Sequence, residues 1–331
     1  MDTILSVFDA CVKNFDSLKN KPRRLKIETI NRCNAECVFC AYPLMKREKG
    51  VMSMEIFTKT IKYYLDMGGG DLALSPVVGD CLLDNYFVDR LAYLRKFNEI
   101  NEIFIHTNLI GLSRWSDYEI KMMLRCLDYI SCSIGPNRDI YKLLFQVDQF
   151  ESVLKNLLRL LNLRADVEPK PMIYIAGRSS KRHCDVDHRL EIIQNTFHGK
   201  NIKWLTQYKD WGGIIKDLPH QTPVKKDIKS QGKSYLPCII PIYSAIVYRN
   251  GQVGVCSAAD YEAQMIIGDI NYETLQEIWS GKKREKFIHS FSDGKISPYC
   301  AKCTFYNELT PERVLRWHMR EINEKTNNRK I

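Results

Sequence analysis

No stretch of the sequence approaches the roughly 18 consecutive apolar residues that a membrane-crossing helix needs. Met1-Asp2-Thr3 does not open a basic region followed by an apolar run, so a secretory signal is not read either. These absences set the expectation of a cytoplasmic protein with no membrane partner. Repeats of fixed period and low-complexity tracts are also lacking, which sets aside solenoids and disordered arrays. Basic patches occur at 19–24, 225–229, 282–286 and Arg329-Lys330, but no aromatic-interleaved recognition motif accompanies them. The net charge of +10 therefore reads as solvated faces, and nucleic acid is not an expected partner. An anionic substrate or cofactor is compatible with it.

What is present is enough to fold. The 331 residues are 45% hydrophobic and 27% charged, the composition of a globular protein with a sizeable core. Twelve cysteines stand out, because structural disulfides are rare in a reducing compartment and clustered cysteines there point to metal or redox chemistry. Cys33, Cys37 and Cys40 crowd one segment, and Cys238, Cys256, Cys300 and Cys303 fall in the last third. Cys11, Cys81, Cys126, Cys132 and Cys184 are scattered.

Six short runs rich in Ile, Val, Leu and Tyr read as buried strands: 25–30, 71–78, 103–107, 129–134, 172–175 and 202–205. Between them, 53–67, 86–97, 118–126, 150–163 and 188–197 repeat apolar residues at helical spacing. Ser53 is placed to cap the first of these and Gly68-Gly69-Gly70 to stop it. Such alternation predicts an α/β fold with a parallel sheet, open or curved into a barrel, whose site lies at the carboxyl ends of the strands. The cysteine triplet follows the first expected strand, where that rule places a site.

The stretch 210–231, with Trp211-Gly212-Gly213, two prolines and several lysines, loses all period and reads as a linker. Beyond it, Asn250-Gly251 between apolar runs predicts a type I′ hairpin leading into Cys256. Helices are expected at 274–279, ending at Gly281, and at 311–323.

A C-x3-C-x2-C loop can curl around a cubane so that each sulfur reaches a different iron, leaving the fourth iron bare for a small molecule. Phe39 supplies an apolar wall beside it. The alternatives are a zinc site or three unrelated core cysteines, though zinc usually completes four ligands with paired cysteines or histidine, and no histidine lies in this loop. Cys33-Asn34-Ala35-Glu36-Cys37-Val38-Phe39-Cys40 resembles the cluster motif of the radical S-adenosylmethionine superfamily. Further matches follow in order. Val78-Gly79-Asp80 resembles the Gly-Gly-Glu segment that receives the methionine amine at the end of the second strand, and Thr107-Asn108 resembles the third-strand Thr-Asn-Gly. The stretch 131–135 resembles the segment near the ribose, and Arg178 follows the fifth strand. The departures are Val78 for the first Gly, Asp80 for Glu, which favours backbone capture of the amine, and Gly135 for the Asp of Ser-Ile-Asp, which leaves the ribose contact to Ser133 or a neighbour.

The resemblance implies a partial (β/α)6 TIM-like barrel over residues 22–210, after an N-terminal helix at 1–21 and before a linker at 211–234. It implies a [4Fe-4S] cluster on Cys33, Cys37 and Cys40, with S-adenosyl-L-methionine held by Phe39, Gly79, Asp80, Ser133 and Arg178. Residues 235–331 resemble the twitch form of the SPASM domain, a small β-hairpin and helix module: Pro237-Cys238, the hairpin to Cys256, Ile267-Gly268-Asp269-Ile270, 275–279 and the Cys300/Cys303 pair. Four usable cysteines there imply one auxiliary [4Fe-4S] cluster, with structural zinc as the alternative from ligand type alone.

The family further implies reductive cleavage of S-adenosylmethionine to a 5′-deoxyadenosyl radical, with a one-electron reductant such as flavodoxin or ferredoxin as partner. The expected reaction is oxidation or epimerisation of a small hydroxylated, sugar- or cyclitol-like molecule, an oxidoreductase activity. Maturation of a ribosomally made peptide is the alternative, disfavoured because only about two dozen residues precede the first expected strand. A non-enzymatic zinc protein that binds nucleic acid is the third reading. Asp80, Arg178, His183 and Tyr208 are candidate proton acceptors by position, and Cys81 is a candidate hydrogen donor for an epimerase, against the plainer reading of a buried free thiol.

Overall fold

The structure, a computed structural model, describes residues 20–180, 184–198, 202, 204–216, 218 and 235–310. The expected N-terminal helix, Cys11, His183, most of the expected linker and the expected helix at 311–323 lie outside them.

Each expected strand forms, in chain order β1 (Arg24–Ile27), β2 (Gly70–Ala73), β3 (Ile100–Thr107), β4 (Tyr129–Ile134), β5 (Met172–Arg178) and β6 (Trp204–Leu205), all paired in parallel with their sequence neighbours. Unbroken sequential order is that of a barrel wall, since a doubly wound sheet reverses its order part-way. The sheet is mixed, mostly parallel and open, as in a partial TIM-like barrel. β1 ends at Ile27 and β2 at Ala73, so the cysteine loop and Val78-Gly79-Asp80 both lie in loops beyond their strands rather than at strand ends. Arg178 is the last residue of β5 instead of following it.

Helices α1 (Met54–Asp66), α2 (Phe87–Leu94), α3 (Asp117–Cys126), α4 (Arg138–Phe145), α5 (Phe150–Ala165) and α6 (His188–Ile193) cover the outer face. Ser53 caps α1, its Oγ accepting from the Ile56 amide at 3.1 Å. The glycine stop is needed sterically: Gly69 and Gly70 have φ of 59° and 145°, and a Cβ on Gly69 would lie 2.3 Å from the Glu99 carbonyl. α4 escaped the periodicity reading because it is a helix of only 8 residues directly after Gly135-Pro136; Asn137 caps it, its Oδ1 accepting from Ile140.

The last third does not stand apart from the barrel. After a helical turn, α7 (Ile240–Tyr243), strand β7 (Ser244–Val247) pairs in parallel with β1, and β8 (Gln252–Gly254) and β9 (Ile266–Asp269) extend the same sheet antiparallel, giving the order β6-β5-β4-β3-β2-β1-β7-β8-β9. The hairpin differs from the type I′ expectation. Gly251 has φ of 93° while Asn250 is not left-handed, and Gly251 N donates to Tyr248 O at 2.9 Å. This is a longer loop ending in a left-handed glycine, which matches strand twist equally well. Short helices α8 (Leu275–Trp279), α9 (Lys282–Ser292) and α10 (Pro298–Ala301) close the region. Thr274 and Glu277 form a reciprocal cap on α8, whereas Gly281, expected as its stop, serves as the N-cap of α9.

The two faces of the barrel wall differ in chemistry. Leu25, Ile27, Leu72, Leu74, Ile103, Ile105, Ile130, Cys132, Ile134, Ile173 and Ile175 pack outward under the helices and are buried. Alternate residues point the other way. Arg24, Lys26, Phe104, His106, Tyr129, Ser133, Tyr174 and Arg178 keep accessible surface although they sit in the centre of the sheet. They form the inner face of the partial barrel, and the space they face is its inner chamber.

Candidate active site

The cysteine loop is built by backbone hydrogen bonds. Glu36 N donates to Phe145 O at 3.2 Å and Val38 N to Leu144 O at 2.9 Å, which ties the loop to the carbonyl end of α4, where such acceptors are otherwise unsatisfied. Cys40 N closes a turn on Cys37 O at 3.0 Å. Two donors reach sulfur: Asn108 Nδ2 to Cys33 Sγ at 3.7 Å and Tyr42 N to Cys40 Sγ at 3.4 Å. Burial, then the Asp80 carboxylate, pushes the Cys33 thiol up to about 12; burial raises Cys40 to about 11; burial and the other two cysteines push Cys37 well above its usual range. All three sulfurs thus lie in one environment that a positively charged centre would stabilise as thiolates.

The loop from β2 runs under this triplet. Gly79 has φ of 131°, and a Cβ there would meet Arg32 O at 3.0 Å and Asn31 Cα at 3.2 Å, so the backbone passes closer to the cysteine segment than a side chain would permit. Asp80 is buried. Its carboxylate accepts from Leu82 N at 3.0 Å, Thr107 Oγ1 at 2.9 Å and Asn108 N at 2.7 Å. It therefore braces the end of β3, and Asn108, positioned by that brace, reaches Asn34 Oδ1 at 2.9 Å as well as Cys33. Gly135 is explained by packing, since a Cβ there would lie 2.8 Å from Tyr141 Cα. A carboxylate at that position has no room, and Ser133, half-buried one pleat earlier, remains on the inner face.

Phe39 is the hub of the chamber roof. Its ring stacks on Tyr208 at 4.9 Å, meets Phe145 edge-on at 5.6 Å and lies 5.4 Å from the Arg178 guanidinium. Arg178 Nε is sealed from solvent and has no hydrogen-bond partner among the described residues, while its charge is felt by Cys37 and Cys40. Tyr208 donates to Ser179 O at 2.8 Å, so its hydroxyl is committed, and Cys81 lies in the apolar core with its thiol 4.0 Å from His106 O.

Among the chamber residues that escaped the sequence reading, His106 and Lys26 carry titratable groups. His106 keeps exposed surface yet is flanked by cations; burial, then Lys26, Arg178 and Arg24, pushes its imidazole down to about 4, which leaves it neutral near pH 7. Burial lowers Lys26 to about 8, with Cys256 and Glu28 opposing, and its Nζ donates to Ser257 O at 2.8 Å. Their signal was available as parity: each occupies the slot between two buried residues on a central strand, which in a barrel is the inside.

The second cysteine set is assembled from three segments. Ile239 N donates to Asn307 O and Leu309 N to Pro237 O, both at 2.8 Å, bringing Cys238 beside the Cys300/Cys303 segment. Cys238, Cys300 and Cys303 share an apolar cluster with Phe291 and Tyr306. Ala259 N donates to Cys256 Sγ at 3.4 Å, and burial, followed by Cys256, pushes Cys303 up to about 12. Burial, then Cys256, Cys303 and Cys238, raises Cys300 further, so the four thiols lie in one another's fields. Trp211, expected in a linker, instead stands between the two sets. Its Nε1 donates to Phe39 O at 3.0 Å, and its ring packs on Tyr261 at 6.0 Å and Phe305 at 5.2 Å.

Residues 238–304 match the SPASM family, described as an iron-sulfur cluster-binding domain. The chain as a whole shares its fold with solved structures that include AdoMet complexes. Among similar solved structures, BtrN in complex with AdoMet and 2-DOIA is 15% identical with a TM-score of 0.56, covering 86% of this chain and 93% of that one. SuiB of Streptococcus suis bound to precursor peptide SuiA is 14% identical with a TM-score of 0.60, covering 88% and 74%. Native anSMEcpe with bound AdoMet is 16% identical with a TM-score of 0.55, covering 92% and 99%. No curated protein sequence matches the chain. The SPASM match is to a cluster-binding domain, which favours iron-sulfur over zinc for the second set.

Proposed function

We propose that the chain is a radical S-adenosylmethionine enzyme that abstracts hydrogen from a small hydroxylated molecule, oxidising or epimerising it. The observation that carries this is the pinned Cys33/Cys37/Cys40 loop above a chamber whose inner wall is polar. These three cysteines would hold one [4Fe-4S] cluster, and Cys238, Cys256, Cys300 and Cys303 an auxiliary one. When bound, the first supplies the electron that splits S-adenosylmethionine into methionine and a hydrogen-abstracting 5′-deoxyadenosyl radical, and the second can accept an electron from the oxidised substrate.

The protein's own part is placement. Phe39 would wall the adenosyl side, the backbone at 78–80 would take the amine because the Asp80 carboxylate is engaged, Ser133 would meet the ribose, and Arg178, whose Nε has no hydrogen-bond partner among the described residues, would balance negative charge beside the triplet. His106, neutral and on the inner wall, is better placed to accept a substrate proton than Tyr208 or Asp80, both of which are hydrogen-bonded elsewhere. Polar lining favours a hydroxylated small molecule, as does likeness to BtrN over most of both chains. The peptide reading draws on likeness to SuiB and on Met172 and Tyr174, which leave 54% and 40% of their surface exposed along the chamber flank.

The test is anaerobic reconstitution with iron and sulfide counting, then reduction in the presence of S-adenosylmethionine. We expect about eight irons per chain and release of 5′-deoxyadenosine. Deuterated polyols and peptides supplied in turn should differ in label transfer to it. Protein without inorganic sulfide, or one that never cleaves the cofactor under strong reductant, would end this reading.

A further inference from the structure

Three cations face the chamber, and only one is accounted for by the cysteine loop. Arg178 lies under Phe39; Arg24 and Lys26 lie deeper, two residues apart on the same face of β1. The Arg24 guanidinium rests 4.5 Å from the Phe104 ring centroid and 5.8 Å from that of Tyr243. Among the described residues it makes no hydrogen bond or ion pair, and its Nε is sealed from solvent. Lys26 spends one donor on Ser257 O at 2.8 Å, and among the described residues it makes no other hydrogen bond or ion pair. Among the described residues neither nearby carboxylate comes within ion-pair distance of Arg24 or Lys26. Glu28 is held by the Arg47 fork, with Nη1 at 2.7 Å from Oε1, and Asp71 lies 3.7 Å from Arg23. His106, its ring 6.0 Å from Phe104, is neutral, so it adds no counter-charge and can offer one donor and one acceptor.

A partly buried guanidinium whose Nε is shut off from water and meets no anion carries a cost that aromatic faces offset only in part. Arginine's planar fork suits an oxyanion through two parallel hydrogen bonds, and an adjacent ammonium adds a point charge. We propose that the chamber binds its substrate through an anionic oxo group, a phosphate or carboxylate, gripped by Arg24 and Lys26 beside His106. This rests on reading the chamber as the substrate site. It also places the reacting carbon of that substrate above the anion, toward Phe39 and the cysteine loop.

Isothermal titration of the anaerobically reconstituted full chain with inorganic phosphate and with malonate, against sodium chloride at equal ionic strength, tests it. Wild type should bind at least one of the two saturably. Arg24→Gln should weaken that binding about tenfold or more, Arg24→Lys should recover part of it, and Lys62→Gln, at an exposed ion pair, should match wild type. Phosphate binding without malonate assigns a phosphate, and the reverse a carboxylate. Absence of saturable binding to wild type, or an Arg24→Gln protein that binds as wild type does, overturns the proposal. If Arg24→Gln does not fold, Lys26→Met is read the same way. Cofactor cleavage by wild type is measured alongside: anion binding without cleavage counts against the radical reading alone, and cleavage without anion binding against this inference alone.

Discussion

The two cysteine sets are held by different means. Cys33, Cys37 and Cys40 fall within eight consecutive positions, and their loop is fixed by main-chain bonds to the end of α4 and by the chain of contacts Asp80, Thr107, Asn108, Cys33. Cys238, Cys256, Cys300 and Cys303 come from three segments joined by a short bridge, an apolar cluster and few side-chain bonds. The first set is tied into the barrel by hydrogen bonds that involve no metal. The second, if it holds the proposed cluster, would draw on that cluster to hold its segments against the mutual repulsion of thiolates and the entropy of closing long loops. Rigidity at the first set serves chemistry, where a small misplacement of the reacting carbon is costly. A looser second set would suffice for the proposed auxiliary centre, which would only exchange electrons.

This contrast breaks first at Cys40. Cys40→Ala should abolish 5′-deoxyadenosine formation and remove about four irons per chain while leaving the secondary structure intact; residual cleavage above background would show that the triplet is not the cofactor-binding set. Next in size is Cys300→Ala. It should also lose about four irons, yet still cleave S-adenosylmethionine, and it should fail only in completing substrate oxidation. Equal loss of cleavage in both variants would mean that the two sets act as one unit and that the comparison is wrong.

Smaller is the effect of stripping iron from the whole protein. Hydrogen exchange should rise sharply across 291–306 and little across α1 and β3, because the barrel core is closed by Leu25, Phe57, Ile61 and Leu72 rather than by metal. Uniform loss of protection would show that the triplet loop also depends on its metal to fold.

The sequence made the barrel legible because its outer face is monotonously apolar. Runs such as Ile103 and Ile105 or Ile130, Cys132 and Ile134 signal buried strands whatever faces the other way. The triplet was legible through spacing within one loop. Lys26 and His106 were not, because a polar residue in a strand normally means solvent, and only closure of the wall turns that face inward. The joining of β7 to β1 was equally hidden, since no local pattern records which distant edge a strand will meet. Trp211 was missed for a related reason: its neighbours, glycines with φ of 78° and 85°, look like a linker and in fact turn the chain so that the indole can enter between the two sites.

The finest test of the comparison is at Asn108, where rigidity and electronics meet. Its amide donates both to Asn34 and to the Cys33 sulfur, while its Oδ1 accepts from Ile110 N at 2.9 Å. Hydrogen bonds to cluster sulfurs raise reduction potential, and outer-sphere partners of this kind typically contribute about 10- to 100-fold in affinity or activity. Asn108→Ala should therefore leave iron content unchanged, shift the midpoint of the first centre to a more negative value in a redox titration followed by electron paramagnetic resonance, and slow cofactor cleavage about tenfold. The same measurement on Tyr42, whose backbone amide cannot be removed by side-chain substitution, supplies the contrast: Tyr42→Phe should leave the potential where it is. If Asn108→Ala also leaves it unmoved, the contact to Cys33 only positions the loop, and the rigidity of the first set, rather than its hydrogen bonding, is what separates it from the second.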